Sequence, residues 1–355
     1  MSYKILSINP GSTSTKVALY EDDQNIFTEM ITHYAEDIQK FDDILDQVDF
    51  RADFVHSALA KHDVRPAELS AVVGRGGLIP NMRGGGYLVN EEMIDVIRSG
   101  KASPHASNLG ALLAQKIAGP LGINAYIYDA VTTNEFPDIA AVTGMPDVRR
   151  DSKCHVLNMK AVSRRVAVKY GKSFEDMRLI VAHMGGGISI SAIENGRIID
   201  SIGDDAGPFA PERSGSIPLF YIIDMCYSGL YSKKEMSARI RGQGGLKAYF
   251  GTADCRVIEE KIADGDEHAK LMYEAMAYQV AKGIGELAPV LRGKIDCTIL
   301  TGGLAWSTMF LDMLRERIGF LAPVEIVAGE DEMEALSLGV LRILRGDEPA
   351  SEYGR

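Results

Sequence analysis

The sequence predicts an α/β protein built from two duplicated domains. Three observations carry that reading. Two similar strand–turn–strand segments lie half a chain apart, short apolar strands alternate with amphipathic helices along the remainder, and glycine is clustered rather than spread.

The first segment is YKILSINPGSTSTKVALY at 3–20 and the second is RLIVAHMGGGISISAIENGR at 178–197. Each has an apolar strand, a turn of small residues and a second strand of β-type composition. In the second copy Glu194, Asn195, Gly196 and Arg197 form the next hairpin turn, leading to Ile198 and Ile199. The copies begin about 175 residues apart, which suggests an ancient duplication. Helical periodicity is visible at 41–62, 108–118, 159–170, 268–291, 309–318 and 332–344, and strand-like runs at 71–73, 125–128, 297–300 and 324–327. This alternation implies sheets covered on both faces. The expected division places 1–155 with a returning C-terminal helix, 333–355, in a first domain and 156–332 in a second. No Pro- or Ser-rich linker marks the boundary, which rests on the repeat alone.

Composition excludes several classes. A length of 355 residues suits two domains, and 46% hydrophobic with 25% charged residues supplies ordinary cores. Thirty-eight basic against 49 acidic residues, a net charge of −11, leave no basic footprint for nucleic acid. No apolar run approaches the roughly 18–20 residues of a membrane span. The apolar part of the N-terminus is too short for a signal peptide. Cys154, Cys226, Cys255 and Cys297 have neither disulfide nor zinc spacing. The chain reads as a cytoplasmic protein acting on small molecules.

Glycine makes up 36 residues, about 10% against a usual 7%, with runs at 74–77, 84–86, 185–187, 242–245 and 302–303. In the turn 9–16, NPGSTSTK, free backbone N–H groups and hydroxyls could surround phosphate oxygens while Lys16 adds charge. A Ser/Thr-rich hairpin turn is the plain alternative. The segment is not a P-loop, and no dinucleotide-binding glycine pattern opens a helix after a strand. The second turn, His183 to Gly187, and the segment ILTGGLA at 299–305 add two further places where backbone can approach a phosphate or a flat ring. One such element in the first half and two in the second form the pattern of an ATP cleft between two duplicated domains.

INPGSTSTK at 8–16, GRGG at 74–77, AHMGGG at 182–187, ERSG at 212–215 and TGG at 301–303 occur in the order and spacing of a known family. The chain resembles the acetokinase family, and within it the butyrate kinase branch, over essentially its whole length. The resemblance implies the actin/Hsp70/sugar-kinase superfold, with two ribonuclease H-like domains closing over the substrates. It also implies ATP and ADP as nucleotides, a magnesium ion, and a homo-oligomer that is a dimer or a multiple of dimers. The implied reaction moves the γ-phosphoryl of ATP to a short-chain carboxylate, reversibly, giving an acyl phosphate. A carboxylate with a pKa near roughly 4–5 is already ionised at pH 7, so no general base is required. The burden falls on cations and hydrogen-bond donors that offset repulsion between anions.

The resemblance assigns Arg75 to the substrate carboxylate, which its planar fork suits. It assigns Arg213, His155 and His183 to the transferring phosphoryl, and Asp129 to positioning metal or substrate. His105, Gly77 and Cys154 fall beside the substrate. Asn9, Ser12, Thr13, Lys16, Gly185, Gly186, Gly187, Asp254, Arg256, Gly302 and Gly303 fall on the nucleotide. Asn9 and Glu332 fall at the metal, with Glu330 or Asp331 as alternatives to Glu332. Each has a purely structural alternative: His155 a helix-entry residue, His183 a core histidine, Asp129 a helix cap, Arg75 and Arg213 surface-paired cations. Arg149, Arg150, Lys233 and Lys234 read as solvated charge, and Met272 and Met276 as core.

Three departures bear on substrate choice. Acetate kinases have Asn where this chain has Gly186, a bulky aromatic where it has Cys154, and a β-branched residue where it has Gly77. The last two changes remove volume beside the expected carboxylate site. A methylene is worth about 0.8 kcal/mol, so the expected result is a preference for four- or five-carbon acids rather than absolute selection. A kinase for acetate, propionate or a branched acid is the alternative, and a non-enzymatic nucleotide switch of the same superfold stands further off.

Overall fold

In the computed structural model, which describes residues 2–354, the strands are β1 (Lys4–Pro10), β2 (Ser14–Glu21), β3 (Gln24–Thr32), β4 (Ala71–Arg75), β5 (Gly86–Leu88), β6 (Asn124–Tyr128), β7 (Leu179–Met184), β8 (Ile188–Glu194), β9 (Arg197–Ile202), β10 (Cys297–Gly302), β11 (Val324–Ala328) and β12 (Ser351–Glu352). They form two sheets, ordered β12-β5-β6-β4-β1-β2-β3 and β11-β10-β7-β8-β9. The chain divides into two units, one running to Asn134 and resuming at Asp331, the other Glu135–Glu330.

The two halves of the repeat share one topology. In the first unit β1 pairs antiparallel with β2 and β2 with β3, while β1–β4 and β4–β6 are parallel. In the second, β7–β8 and β8–β9 are antiparallel, and β7–β10 and β10–β11 parallel. Even the irregularities correspond: the middle strand of each meander shifts register, at Leu19/Tyr20 and at Ala192/Ile193.

Strand alternation places the cores. Leu6, Ile8 and Val72 face a cluster that includes Leu109, Leu112 and Leu113 of the helix Leu109–Ala118. Ile5 and Ser7 have the opposite parity, and the Ser7 hydroxyl lies 2.6 Å from that of Ser337 on the helix Glu332–Arg345. The last helix thus packs on the first sheet, with Met333 against Ala18 and Tyr20. In the second unit Ile180, Ala182, Met184 and Leu300 meet Met276, Ala277 and Val280 of the helix Glu267–Leu287. Leu179, Val181, Cys297 and Ile299 meet Val156, Met159 and Val162 of the helix Val156–Lys169. Met276 is fully buried and Met272 partly so, both in the second core.

The units divide after Asn134, ahead of the expected boundary at 155/156. The intervening residues are tied to the second unit by polar contacts that periodicity does not report. Glu135 pairs with Lys160 at 2.8 Å, both buried, and its other oxygen accepts the amide of Ile198 at 2.9 Å. Arg150, expected as solvated charge, binds Asp200 and the carbonyl of Ser201 at 2.8 and 2.9 Å.

One buried histidine sets a pH limit on the first unit. Thr15 Oγ1 accepts an N–H from Arg51 at 3.0 Å, so its own proton is directed to His33 Nε2 at 2.8 Å. Burial, then the charge of Arg51, pushes the pKa of His33 down to about 4 from 6.5. The neutral ring is the folded form, so stability is complete above pH 6.5 and is lost as pH falls from there toward 4. At pH 5 the loss is about 2 kcal/mol. Denaturant unfolding at pH 7 and pH 5 should register that difference, and His33→Gln should abolish most of it.

Candidate active site

Parallel register brings side chains of the first unit to one edge. Ser7 pairs with Val73 and Ile8 with Gly74, so Asn9 and Arg75 emerge at the carboxyl ends of adjacent strands. Both have the parity that faces the helix Glu332–Arg345. The Asn9 amide donates to Glu332 Oε2, and Arg75 Nε lies 3.2 Å from Glu332 Oε1. Arg75 is 6% exposed and also donates from Nη1 to the carbonyl of Asp129 at 3.1 Å. Asp129 follows β6 in a left-handed conformation, φ 41°, which aspartate and asparagine adopt more readily than other residues that bear a side chain. Its Oδ1 accepts the amide of Gly85 at 2.8 Å, so it caps a loop rather than a helix. His105 Nδ1 accepts the Ser107 amide at 3.2 Å, and burial, then the charge of Arg75, lowers its pKa.

Gly77 has a different role from the one its size suggested. A Cβ there would collide with the side chain and backbone of Asn108, whose Oδ1 accepts the amide of Leu78 at 2.7 Å. The volume released by glycine is filled by Asn108 and is not available to a substrate. The second volume change read from the sequence is at Cys154. It lies in the second unit beside an apolar cluster, its thiol 3.4 Å from the Ser152 hydroxyl, and burial raises its pKa.

In the second unit the same strand logic operates on β7 and β10. Thr301 pairs with His183, and both share the parity of Val181 and Ile299, the face covered by the helix Val156–Lys169. That helix begins after His155, whose ring stacks on His183 with centroids 4.2 Å apart. Asn158 controls both rings. Its backbone N–H is accepted by His155 Nδ1 at 3.4 Å, and its side-chain Nδ2 lies 3.0 Å from His183 Nδ1 and 3.1 Å from Thr301 Oγ1. Thr301 donates its own proton to the carbonyl of Gly329 at 3.1 Å, so it can only accept from Asn158. Asn158 therefore presents its NH₂ group, and His183 Nδ1 is an acceptor. In the neutral tautomer both rings then carry their proton on Nε2. Both Nε2 atoms face one oxygen, Glu330 Oε2, at 3.4 and 3.6 Å.

His155, His183 and Glu330 bring their ligand atoms within 4.8 Å of one another, a donor set that suits a transition metal. The tautomers oppose that use, because each Nε2 presents an N–H and not a lone pair. The arrangement suits an anion.

The glycine turn 185–187 is flanked by cations. The amide of Glu212 donates to the carbonyl of Gly186 at 3.0 Å, which lays Arg213 along the turn. Arg213 Nε reaches Asp204 at 3.0 Å, and Arg241 holds the other oxygen of Asp204 at 2.6 Å. Lys247 approaches Glu212 at 3.6 Å. Gly302 has φ 89° and lies against the backbone of Met184, where a Cβ would clash, whereas Gly303 faces open space. Asp254 and Arg256 pair with each other at 2.6 Å as the cap and first turn of the helix Cys255–Ala263.

The structure also separates the three adjacent acids. Glu330 faces the histidines, Asp331 caps the last helix by accepting the amide of Glu334, and Glu332 joins Asn9 and Arg75. Asn158, Arg241 and Arg51 escaped the sequence reading. Asn158 and Arg51 lie on the apolar stripes of their helices, at positions where a polar residue needs a partner, and that is a readable signal.

Asn158→Asp would replace the Nδ1 donor by an acceptor, so His183 would hold a second proton. A pH–rate profile of this variant should gain a descending limb above neutrality that the parent lacks. Superimposable profiles would contradict the tautomer assignment.

The acetokinase family matches residues 142–318. The chain is 46% identical over 353 residues to the probable butyrate kinase 2 of Caldanaerobacter subterraneus subsp. tengcongensis, covering 99% of this chain and 100% of the relative. It is 44% identical over 355 residues to butyrate kinase 2 of Clostridium acetobutylicum, with 99% and 100% covered. The fold is that of a solved acetate kinase from Porphyromonas gingivalis, at TM-score 0.81 and 20% identity over 96% of this chain and 100% of that one.

Proposed function

The chain belongs to the acetokinase family, where it groups with the butyrate kinases, and from that premise we propose that it phosphorylates butyrate with ATP, reversibly, by direct in-line transfer. The observation that carries the chemistry is the pair of Nε2–H groups turned toward one anionic oxygen in the second unit. A transferring phosphoryl presents such oxygens, and charge that develops on them is stabilised by preorganised donors. No residue needs to remove a proton from the acceptor, because a carboxylate is already ionised.

The residues divide the work as follows. Arg75, held by the carbonyl of Asp129 and by Glu332, offers its guanidinium to the carboxylate. His155 and His183 donate to the phosphoryl oxygens, and Arg213 adds charge beside the glycine turn. In the first unit Ser12, Thr13 and Lys16 offer amides, hydroxyls and charge to nucleotide phosphate, and in the second unit Gly185, Gly186, Gly187 and Gly303 offer open backbone to it. Asn9 and Glu332 offer an amide oxygen and a carboxylate, hard donors of the kind magnesium takes alongside substrate phosphates. When bound there, the ion would neutralise charge on those phosphates.

Among the described residues no helix is long and apolar enough to cross a membrane, and the proposed enzyme is cytoplasmic. A homo-oligomer remains part of the proposal. The helix Leu219–Tyr227 supports it, with Leu219, Phe220 and Tyr227 at 79%, 81% and 87% exposure.

The test is ATP-dependent acyl phosphate formation, trapped as hydroxamate, from acetate, propionate, butyrate, isobutyrate and valerate. Two added methylenes should raise kcat/KM for butyrate about 15-fold over acetate. A maximum at acetate would overturn the chain-length assignment, and no product from any acid would overturn the kinase. Arg75→Lys should raise KM for butyrate about tenfold while KM for ATP changes less than about threefold.

A further inference from the structure

The turn between β1 and β2 is unusual in where its carbonyls go. Gly11 O and Ser14 O each accept from Arg51 Nη1 at 2.9 Å, and Ser12 O accepts from Nη2 at 3.2 Å. Thr13 O accepts the backbone amide of His33 at 2.9 Å. All four carbonyls of the turn are thereby committed to the protein side. The amides of Ser12 and Thr13, both exposed residues, have no acceptor among the described residues.

Arg51 is itself held from behind. Its Nε and Nη2 donate to Gln47 Oε1, one helical turn earlier, at 3.1 and 2.9 Å. The residue is fully buried, at 0% exposure, and no carboxylate pairs with it among the described residues. Burial lowers its pKa to about 10, so it keeps its charge at neutral pH. A buried cation without a counter-ion is costly, and its hydrogen bonds to neutral carbonyls repay only part of that cost. Its field extends through the turn to the two exposed amides, where an anion would complete the pairing.

We propose that Arg51 is a positioning residue for nucleotide phosphate. It draws the carbonyls of the turn inward, leaves the amides of Ser12 and Thr13 outward, and places an uncompensated charge behind them. The inference rests on the reading of this turn as a phosphate site. Arg51 does not touch the nucleotide and acts only through the turn. Lysine would keep the charge but could not span three carbonyls and Gln47 at once.

The test is ATP affinity by calorimetry, with KM for ATP and for butyrate, in Arg51→Lys. ATP affinity should fall about tenfold or more and KM for ATP rise in step, while KM for butyrate stays within about twofold. Thermal unfolding checks that the variant is folded. If it is not, Gln47→Met loosens the same guanidinium from outside the turn and should weaken ATP about threefold. Folded Arg51→Lys, or Gln47→Met in its place, with ATP affinity within about twofold of the parent overturns the inference, as do ATP and butyrate constants that worsen equally. Ser12→Ala with Lys16→Ala separates this from the underlying reading. If that double variant weakens ATP and Arg51→Lys does not, Arg51 alone is wrongly assigned. If neither does, the turn is not a phosphate site, and the inference falls with it.

Discussion

One residue, Asn158, decides which way the ring protons of the second unit point. Its backbone amide goes to His155 and its side-chain amide to His183, in each case at Nδ1. The side chain's own orientation is set by Thr301, which spends its proton on Gly329 and leaves only an acceptor behind. Everything proposed for phosphoryl transfer depends on this. With the protons on Nε2 the two rings are donors to an anion. With the protons on Nδ1 the same rings would present lone pairs, which repel a phosphoryl oxygen and attract a metal. The choice is made by neutral hydrogen bonds buried against the sheet.

The fold makes such arrangements possible twice over. In each unit the first strand ends beside a parallel neighbour, and alternate residues at that edge face a single helix. Asn9 and Arg75 meet Glu332 in this way in the first unit, and His183 and Thr301 meet Asn158 in the second. Asn9 and His183 hold equivalent places, each two residues before the first glycine of its turn. The same edge thus occurs in both units, with an amide, a guanidinium and a carboxylate brought together in one and two imidazoles in the other.

Much of this is legible in the sequence. The hairpin repeat, the strand runs and the two turns need only periodicity and composition, whereas Asn9, Arg75, Asp129 and His183 are singled out by the resemblance to a known family. What escapes is decided by contacts between distant segments. Gly77 reads as missing volume until Asn108, more than a helical turn's worth of sequence away, is seen to fill it. The segment 135–155 carries no mark of the unit it joins, because Glu135 declares itself only through Lys160 and Ile198. Arg51 and Asn158 are intermediate cases. Their positions on apolar stripes show that each must find partners, but only the folded chain shows that those partners are a turn and a pair of rings.

The ring protons of His155 and His183 can be observed directly. In protein labelled with ¹⁵N-histidine, long-range proton–nitrogen correlation spectra distinguish the two neutral tautomers, and His155→Gln and His183→Gln assign the signals among the seven histidines. In the neutral rings of both residues Nε2 should be protonated and Nδ1 unprotonated. A protonated Nδ1 on neutral His183 would contradict it.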